Sequence, residues 1–451
     1  MRLSDLTFGT SGYLAKLWQY FDVSSNRDSI RGRVMHGAFW TLLGSTLSQG
    51  AGVLGSILSA RILGKVGFGE LGIIRSTVLM FGVLAGTGLG MASTKYVAEF
   101  RLNDPAKAGR MIGLLLNAGV ILGGSVTLVC LFLSAPLADS VMHAPHLAGA
   151  LQIGCLLLLL TTLNGVQLGV VCGFEAFRTQ SRVIVLDGMF NLLLVPAGAF
   201  VYGVAGAVGG SVLAALLGFM VKQQAMNKEC RRSAIHVVHR HVSAEFPALW
   251  RFVLPAILLG VSIQPFEWLA RIMLVQQPNG YAELGIFTAV VAWAQLILFL
   301  PGQVSGPIMP IMANLLADGQ VARLKKVILS SQGLISVVTV MTAVPLAIFA
   351  PYILRAYGPD FITGSLTLWT MIGAYIICVP ALITRSFFAA ADRMWWQTIH
   401  TFIWGMILLA GCKFLIHYGG LGLAFSYLGA YVTLTVLQFG TQAVIVKKLS
   451  K

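Results

Sequence analysis

The chain has 451 residues, 57% hydrophobic and 10% charged, with a formal net charge of +15. Soluble domains carry about 25% charged residues, so the composition excludes a soluble globular protein. A basic excess could also signal nucleic-acid binding. Here, however, the Lys and Arg residues gather between apolar runs and do not interleave with aromatics, which excludes a nucleic-acid platform.

The first 33 residues hold Asp5, Lys16, Asp22, Arg27, Asp28, Arg31 and Arg33 without an apolar core, so they read as a cytoplasmic lead-in and not a signal peptide. An amphipathic interfacial helix is predicted around Tyr13 to Phe21. Twelve spans follow, near 34–60, 71–94, 111–135, 149–172, 183–201, 204–222, 250–275, 284–305, 327–350, 362–386, 395–416 and 421–446. Several runs free of Asp, Glu, Lys and Arg, such as Val34 to Ala60 and Leu284 to Ala317, exceed the roughly 20 residues that cross a bilayer as helix. Strict alternation is absent, which argues against a membrane β-barrel. Tyr202-Gly203 is predicted to turn the fifth span into the sixth, and polar Lys222 to Glu245 separates two halves.

A repeat relates those halves. ARILGKVGFGELGI at Ala60 to Ile73 returns as ARIMLVQQPNGYAELGI at Ala270 to Ile286, and Tyr202-Gly203 with Gly206 returns as Tyr418-Gly419 with Gly422. The expected fold is therefore an all-α integral membrane protein, with twelve transmembrane helices in two six-helix lobes around a central cavity. An even number of spans per half makes the repeats parallel, about an axis along the membrane normal. The predicted divisions are a cytoplasmic N-terminal segment 1–33, an N-lobe 34–222, a basic cytoplasmic linker 223–248, a C-lobe 249–447 and a cytoplasmic tail 448–451. With the N-terminus in the cytoplasm, all but six of the 31 Lys and Arg residues fall inside; the exceptions are Arg61, Lys65, Arg75, Arg271, Arg355 and Lys413. That asymmetry predicts both termini in the cytoplasm.

Gly67 to Gly72 spells GxGxxG, but between membrane helices, where it reads as a turn and not a dinucleotide site. There is no P-loop, so movement would be driven by a gradient. Cys130, Cys155, Cys172, Cys230, Cys378 and Cys412 lack metal spacing and read as helix-packing residues. His236, His239 and His241 among arginines read as a basic stripe against anionic headgroups, not a metal site. No cofactor and no catalytic residue is expected.

Charges inside the membrane cost roughly 2.5–3.5 kcal/mol each at the centre, and so point to function. Glu267 and Arg271 form a favourable i, i+4 pair; Glu267 is either structural or an ion-coupling group for H+ or Na+. Pro255 and Pro265 predict a bend there. Arg61 and Arg75 have no acid one turn away. They are expected at one depth beside the outer end of the cavity, meeting an anionic ligand, with Glu70 able to neutralise one of them. Asp187 and Arg385 are expected to snorkel from near the cytoplasmic ends.

RILGKVGFGELGI, the glycine-rich second span and Lys95-Tyr96-Val97-Ala98-Glu99 together resemble the N-terminal region of Wzx-type polysaccharide flippases. These belong to the multidrug/oligosaccharidyl-lipid/polysaccharide exporter superfamily. The resemblance implies movement of an undecaprenyl-pyrophosphate-linked oligosaccharide across a bacterial inner membrane by alternating access. It also implies a cationic cavity, here Arg61, Arg75 and Arg271, and a polysaccharide polymerase complex as partner. Related lipid II flippases carry extra C-terminal spans that this sequence lacks. The competing readings are gradient-driven multidrug or lipid II export, a non-transporting scaffold, and a membrane-embedded glycosyltransferase or polymerase. Drug export predicts acids in the cavity, and the last needs a large outer loop or clustered catalytic acids.

Overall fold

A computed structural model describes residues 30–86, 88–239, 260–305 and 308–449. The proposed Tyr13–Phe21 helix, Arg240, His241, Pro255 and the start of the seventh span lie outside the described residues. The helices are α1 (Ile30–Leu84), α2 (Leu89–Phe100), α3 (Pro105–Pro136), α4 (Ala148–Gly173), α5 (Phe177–Arg232), α6 (Gln264–Val275) and α7 (Gly280–Ser305). They continue with α8 (Ile308–Ala317), α9 (Val321–Tyr357), α10 (Ser365–Cys378), α11 (Ala381–Ala390), α12 (Met394–Leu415) and α13 (Gly419–Leu449).

Among the described residues, eight helical runs are long and apolar enough to cross a membrane. Three of them contain a reversal. In α1 the reversal is at Gly64, whose φ of 67° and ψ of 179° end one helix and start another. Packing shows that it is a true hairpin. Gly44 and Gly55 of the first limb lie against Ser181 and Leu192, so this limb runs parallel to the start of α5. Gly154 meets Ile74 and Gly169 meets Gly90, so the second limb and α2 run parallel to α4. α4 and α5 are joined by a short turn and are antiparallel; the two limbs of α1 must therefore be antiparallel too. Tyr202 and Gly203 reverse α5, where Gly198 packs on Gly206 and Leu194 on Gly210. The third reversal lies between α12 and α13, where Leu415 packs on Gly422. The described crossings fit the expected two-lobe arrangement, with α6 following the residues outside the described set.

The second span is broken between α1 and α2. Elsewhere local chemistry sets the ends. Asp104 caps α3 by accepting from the Lys107 amide at 2.9 Å, with Pro105 at the first helical position. Two membrane faces result. The Gly64 face also holds Asp139, Gln277 and Pro359; the Asp104 face also holds Arg231 and Asp318.

The lobes meet where the two copies of the repeated sequence cross. Gly69 lies against the Tyr281 carbonyl and Gly285 against the Lys65 carbonyl, so tightly that neither position has room for a Cβ. Small residues let membrane helices approach this closely, and the crossing helices run parallel, as parallel repeats require. Above the crossing Phe68, Tyr357 and Phe361 stack as an aromatic plug, with centroids 5.7 to 6.3 Å apart. Each such contact contributes about 0.5–1.5 kcal/mol beyond area burial. Hydrogen bonds close the same seam. Tyr357 shares one with Ser56 at 2.8 Å and accepts one from Trp293 at 3.1 Å. Tyr281 donates to Met142 O at 2.8 Å, and Gln276 to Val141 O at 3.0 Å. The Gly64 face is closed between the lobes.

Candidate functional site

Below the plug, the N-lobe contains a cavity of about 560 Å³. Gly52, Gly55 and Ser56 of α1 border it, with Asn164 of α4 and Asn191 and Ser211 of α5. Its charged groups are Arg75, Asp187 and Lys222. Arg75 also borders a second space of about 480 Å³ that reaches Gln264 of the C-lobe. Arg75 thus stands where the N-lobe cavity meets the interlobe region. By helical rise it lies about 15 Å below the Gly64 face, and Lys222 lies about 15 Å above the Asp104 end of α5.

Lys222 and Asp187 form an ion pair, with the Lys222 side chain only 5% exposed. This corrects one expectation: Asp187 does not snorkel but is held by Lys222, the last residue of the expected sixth span. The reason is that α5 outruns its apolar stretch and continues as helix to Arg232. A signal for this was present: the contacts Gly198–Gly206 and Leu194–Gly210 extrapolate down the hairpin to Asp187 and Gly218, one turn from Lys222. Among the described residues no acid pairs with Arg75, so the charged lining carries one uncompensated positive charge. Asn164 donates to Ala215 O at 3.0 Å, while its Oδ1 is buried with no hydrogen-bond partner.

The expected Arg61–Arg75 cluster does not form. Arg61 is exposed, and its Nε donates to Ala356 O at 2.6 Å, capping the end of α9. The turn at Gly64 sends the two arginines along antiparallel limbs, and only Arg75 lines the cavity. Glu70 neutralises neither; it bonds His146 at 2.9 Å. Its repeat counterpart Glu283 accepts from the Gly420 amide at 2.8 Å.

Arg271 and Glu267 pair at 3.5 Å in the C-lobe. In the same lobe Tyr431 packs against Tyr375 and Tyr427, with ring centroids 5.8 and 6.0 Å away. Of the linker histidines, His239 bonds Asn117 at 3.1 Å.

Two lobes of parallel repeats that span the membrane many times, with a charged cavity set in the N-lobe, define a multi-pass membrane protein. The fold is that of solved transporters. An inward-facing multidrug resistance MATE family transporter of the MOP superfamily superposes with a TM-score of 0.76, at 16% identity, over 90% of this chain and 95% of that one. An outward-facing MATE family transporter gives 0.67 at 16% identity, over 94% and 98%. A MOP superfamily transporter from Pyrococcus furiosus Vc1 (DSM3638), described as having a binding pocket of reverse polarity, gives 0.70 at 16%, over 94% and 98%. In sequence, the lipid III flippases of Escherichia coli (strain K12) and Shigella flexneri are each 23% identical over 408 residues, covering 89% of this chain and 88% of theirs. Residues 34–316 match the family described as polysaccharide biosynthesis protein. The chain belongs to that family.

Proposed function

We propose that this protein carries an undecaprenyl-pyrophosphate-linked oligosaccharide between the leaflets of a bacterial inner membrane, for surface or exo-polysaccharide synthesis. The observation that carries the reading is Arg75, a cation with no acid partner among the described residues, lining a polar cavity at mid-membrane. A pyrophosphate brings about two negative charges, and a guanidinium meets phosphate oxygens with several donors in a low dielectric. Lys222 adds to the field, while Asp187 holds it in place. Asn164, Asn191 and Ser211 offer the amide and hydroxyl groups that sugars require. The polyprenyl tail stays in the bilayer. The likeness to lipid III flippases supports a lipid-linked glycan.

The cycle is alternating access, with the closed Gly64 face turned outward and both termini in the cytoplasm. The closer superposition on the inward-facing than on the outward-facing transporter supports this. Arg61 serves the outer closure, and Arg271 with Glu267 forms the C-lobe site, where Glu267 couples an H+ or Na+ gradient. A polysaccharide polymerase would receive the product. Multidrug export is less well supported, because the one acid lining the N-lobe cavity is committed to Lys222.

The test is reconstitution with a fluorescent lipid-linked oligosaccharide and a membrane-impermeant quencher. Wild-type protein should transfer it between leaflets, and Arg75→Ala should lose most of that activity. Transfer of organic cations but not of the lipid-linked glycan would overturn the reading.

A further inference from the structure

A second groove lies far from the cavity, on the Asp104 face of the C-lobe. It has a volume of about 510 Å³ and runs between the start of α12 and the end of α13. Its wall is apolar yet open: Val436 is 65% exposed and Val444 55%. Gly440 lies between them, with nothing within 4 Å of the place a Cβ would occupy. The groove is therefore apolar and accessible from outside the lobe.

One end of it is cationic. Arg393 and Lys448 both line the groove, and among the described residues no carboxylate pairs with either. The end of α13 accounts for Lys448, since a cation there suits the helix dipole. It does not account for Arg393, which precedes the first turn of α12, where the dipole disfavours a cation. Trp396 lines the same end, and neighbouring Trp395 is 75% exposed. Exposed tryptophans mark headgroup level, and basic pockets between transmembrane helices recognise anionic headgroups.

We infer that this groove binds an anionic glycerophospholipid, its phosphate between Arg393 and Lys448 and an acyl chain along Val436, Gly440 and Val444. Charge complementarity selects the occupant: a zwitterionic headgroup would place its own cation against the pair.

The experiment incorporates the full-length protein into equimolar phosphatidylglycerol and phosphatidylethanolamine vesicles, extracts it in mild detergent and counts retained lipids by native mass spectrometry. Phosphatidylglycerol should be retained over phosphatidylethanolamine by about thirtyfold, the scale set by two interfacial cations. Arg393→Ala with Lys448→Ala should bring the ratio close to parity, and Arg393→Lys with Lys448→Arg should preserve it. Gly440→Leu, which fills the groove without touching a charge, should lower retention of phosphatidylglycerol. A wild type with no preference would overturn the inference. So would a preference that survives both the double alanine variant and Gly440→Leu.

Discussion

Arg61 Nε donates to the backbone oxygen of Ala356 at 2.6 Å, joining the last turn of the first limb of α1 to the last turn of α9. One lobe thus supplies a cation to the negative end of a helix in the other. A hydrogen bond from a charged donor contributes about 1.5–3 kcal/mol, less where exposed. We expect Arg61→Ala to loosen the closed Gly64 face. With the six native cysteines replaced, Ser56→Cys should react several-fold faster with an impermeant thiol reagent once Arg61 is Ala. Arg61→Lys should fall between. An unchanged rate would remove Arg61 from the closure.

The crossing of Gly69 and Gly285 leaves no room for a methyl group on either residue. Gly285→Ala should push the Lys65 carbonyl away and part the lobes. Labelling at Ser56→Cys should rise and transport should fall, with the protein still folded. Wild-type transport by Gly69→Ala with Gly285→Ala would show that this face need not close so tightly.

Breaking a buried ion pair from one side costs about 3–5 kcal/mol, because the other charge is left alone. Lys222→Ala should therefore lower the melting temperature of the detergent-solubilised protein. Adding Asp187→Ala should restore most of the loss. Arg75→Ala, which leaves no carboxylate unpaired, should fold normally and reduce flipping at least tenfold, with Arg75→Lys recovering part of it. A larger transport defect from Arg61→Ala than from Arg75→Ala would move the headgroup site to the Gly64 seam.

For Glu267, the prediction separates folding from coupling. Glu267→Gln strands Arg271 and should reduce membrane levels. Glu267→Gln with Arg271→Gln should restore the level while gradient-driven transport stays lost. Full transport by the double variant would remove Glu267 from coupling.

Orientation is checked by reporter fusions. Sites at Asp139, Gln277 and Pro359 share one face and should read outside, whereas Asp104, Arg231 and Asp318 should read inside. A mixed result within either group would contradict the hairpins at Gly64 and Tyr202-Gly203.

The membrane class, the helical spans and the two-lobed repeat were legible in the sequence. Each is a one-dimensional property: run length against bilayer thickness, and recurrence of Glu-Leu-Gly-Ile in each half. Arg75 could be singled out for the same reason, since an apolar run shows any charge set into it. Its surroundings could not be read this way. Arg61 and Arg75 look equivalent along the chain, yet the Gly64 turn puts them on opposed limbs, one facing α9 and the other the cavity. Lys222 looks like the unpaired end of the sixth span until α5 is seen to continue past it and the hairpin brings it to Asp187. Periodicity and composition carry depth and secondary structure, but the direction a side chain faces depends on which helices pack together. That was decided by close contacts of glycines with residues far away in the chain, at Gly44 and Ser181, Gly154 and Ile74, and Gly69 and Tyr281.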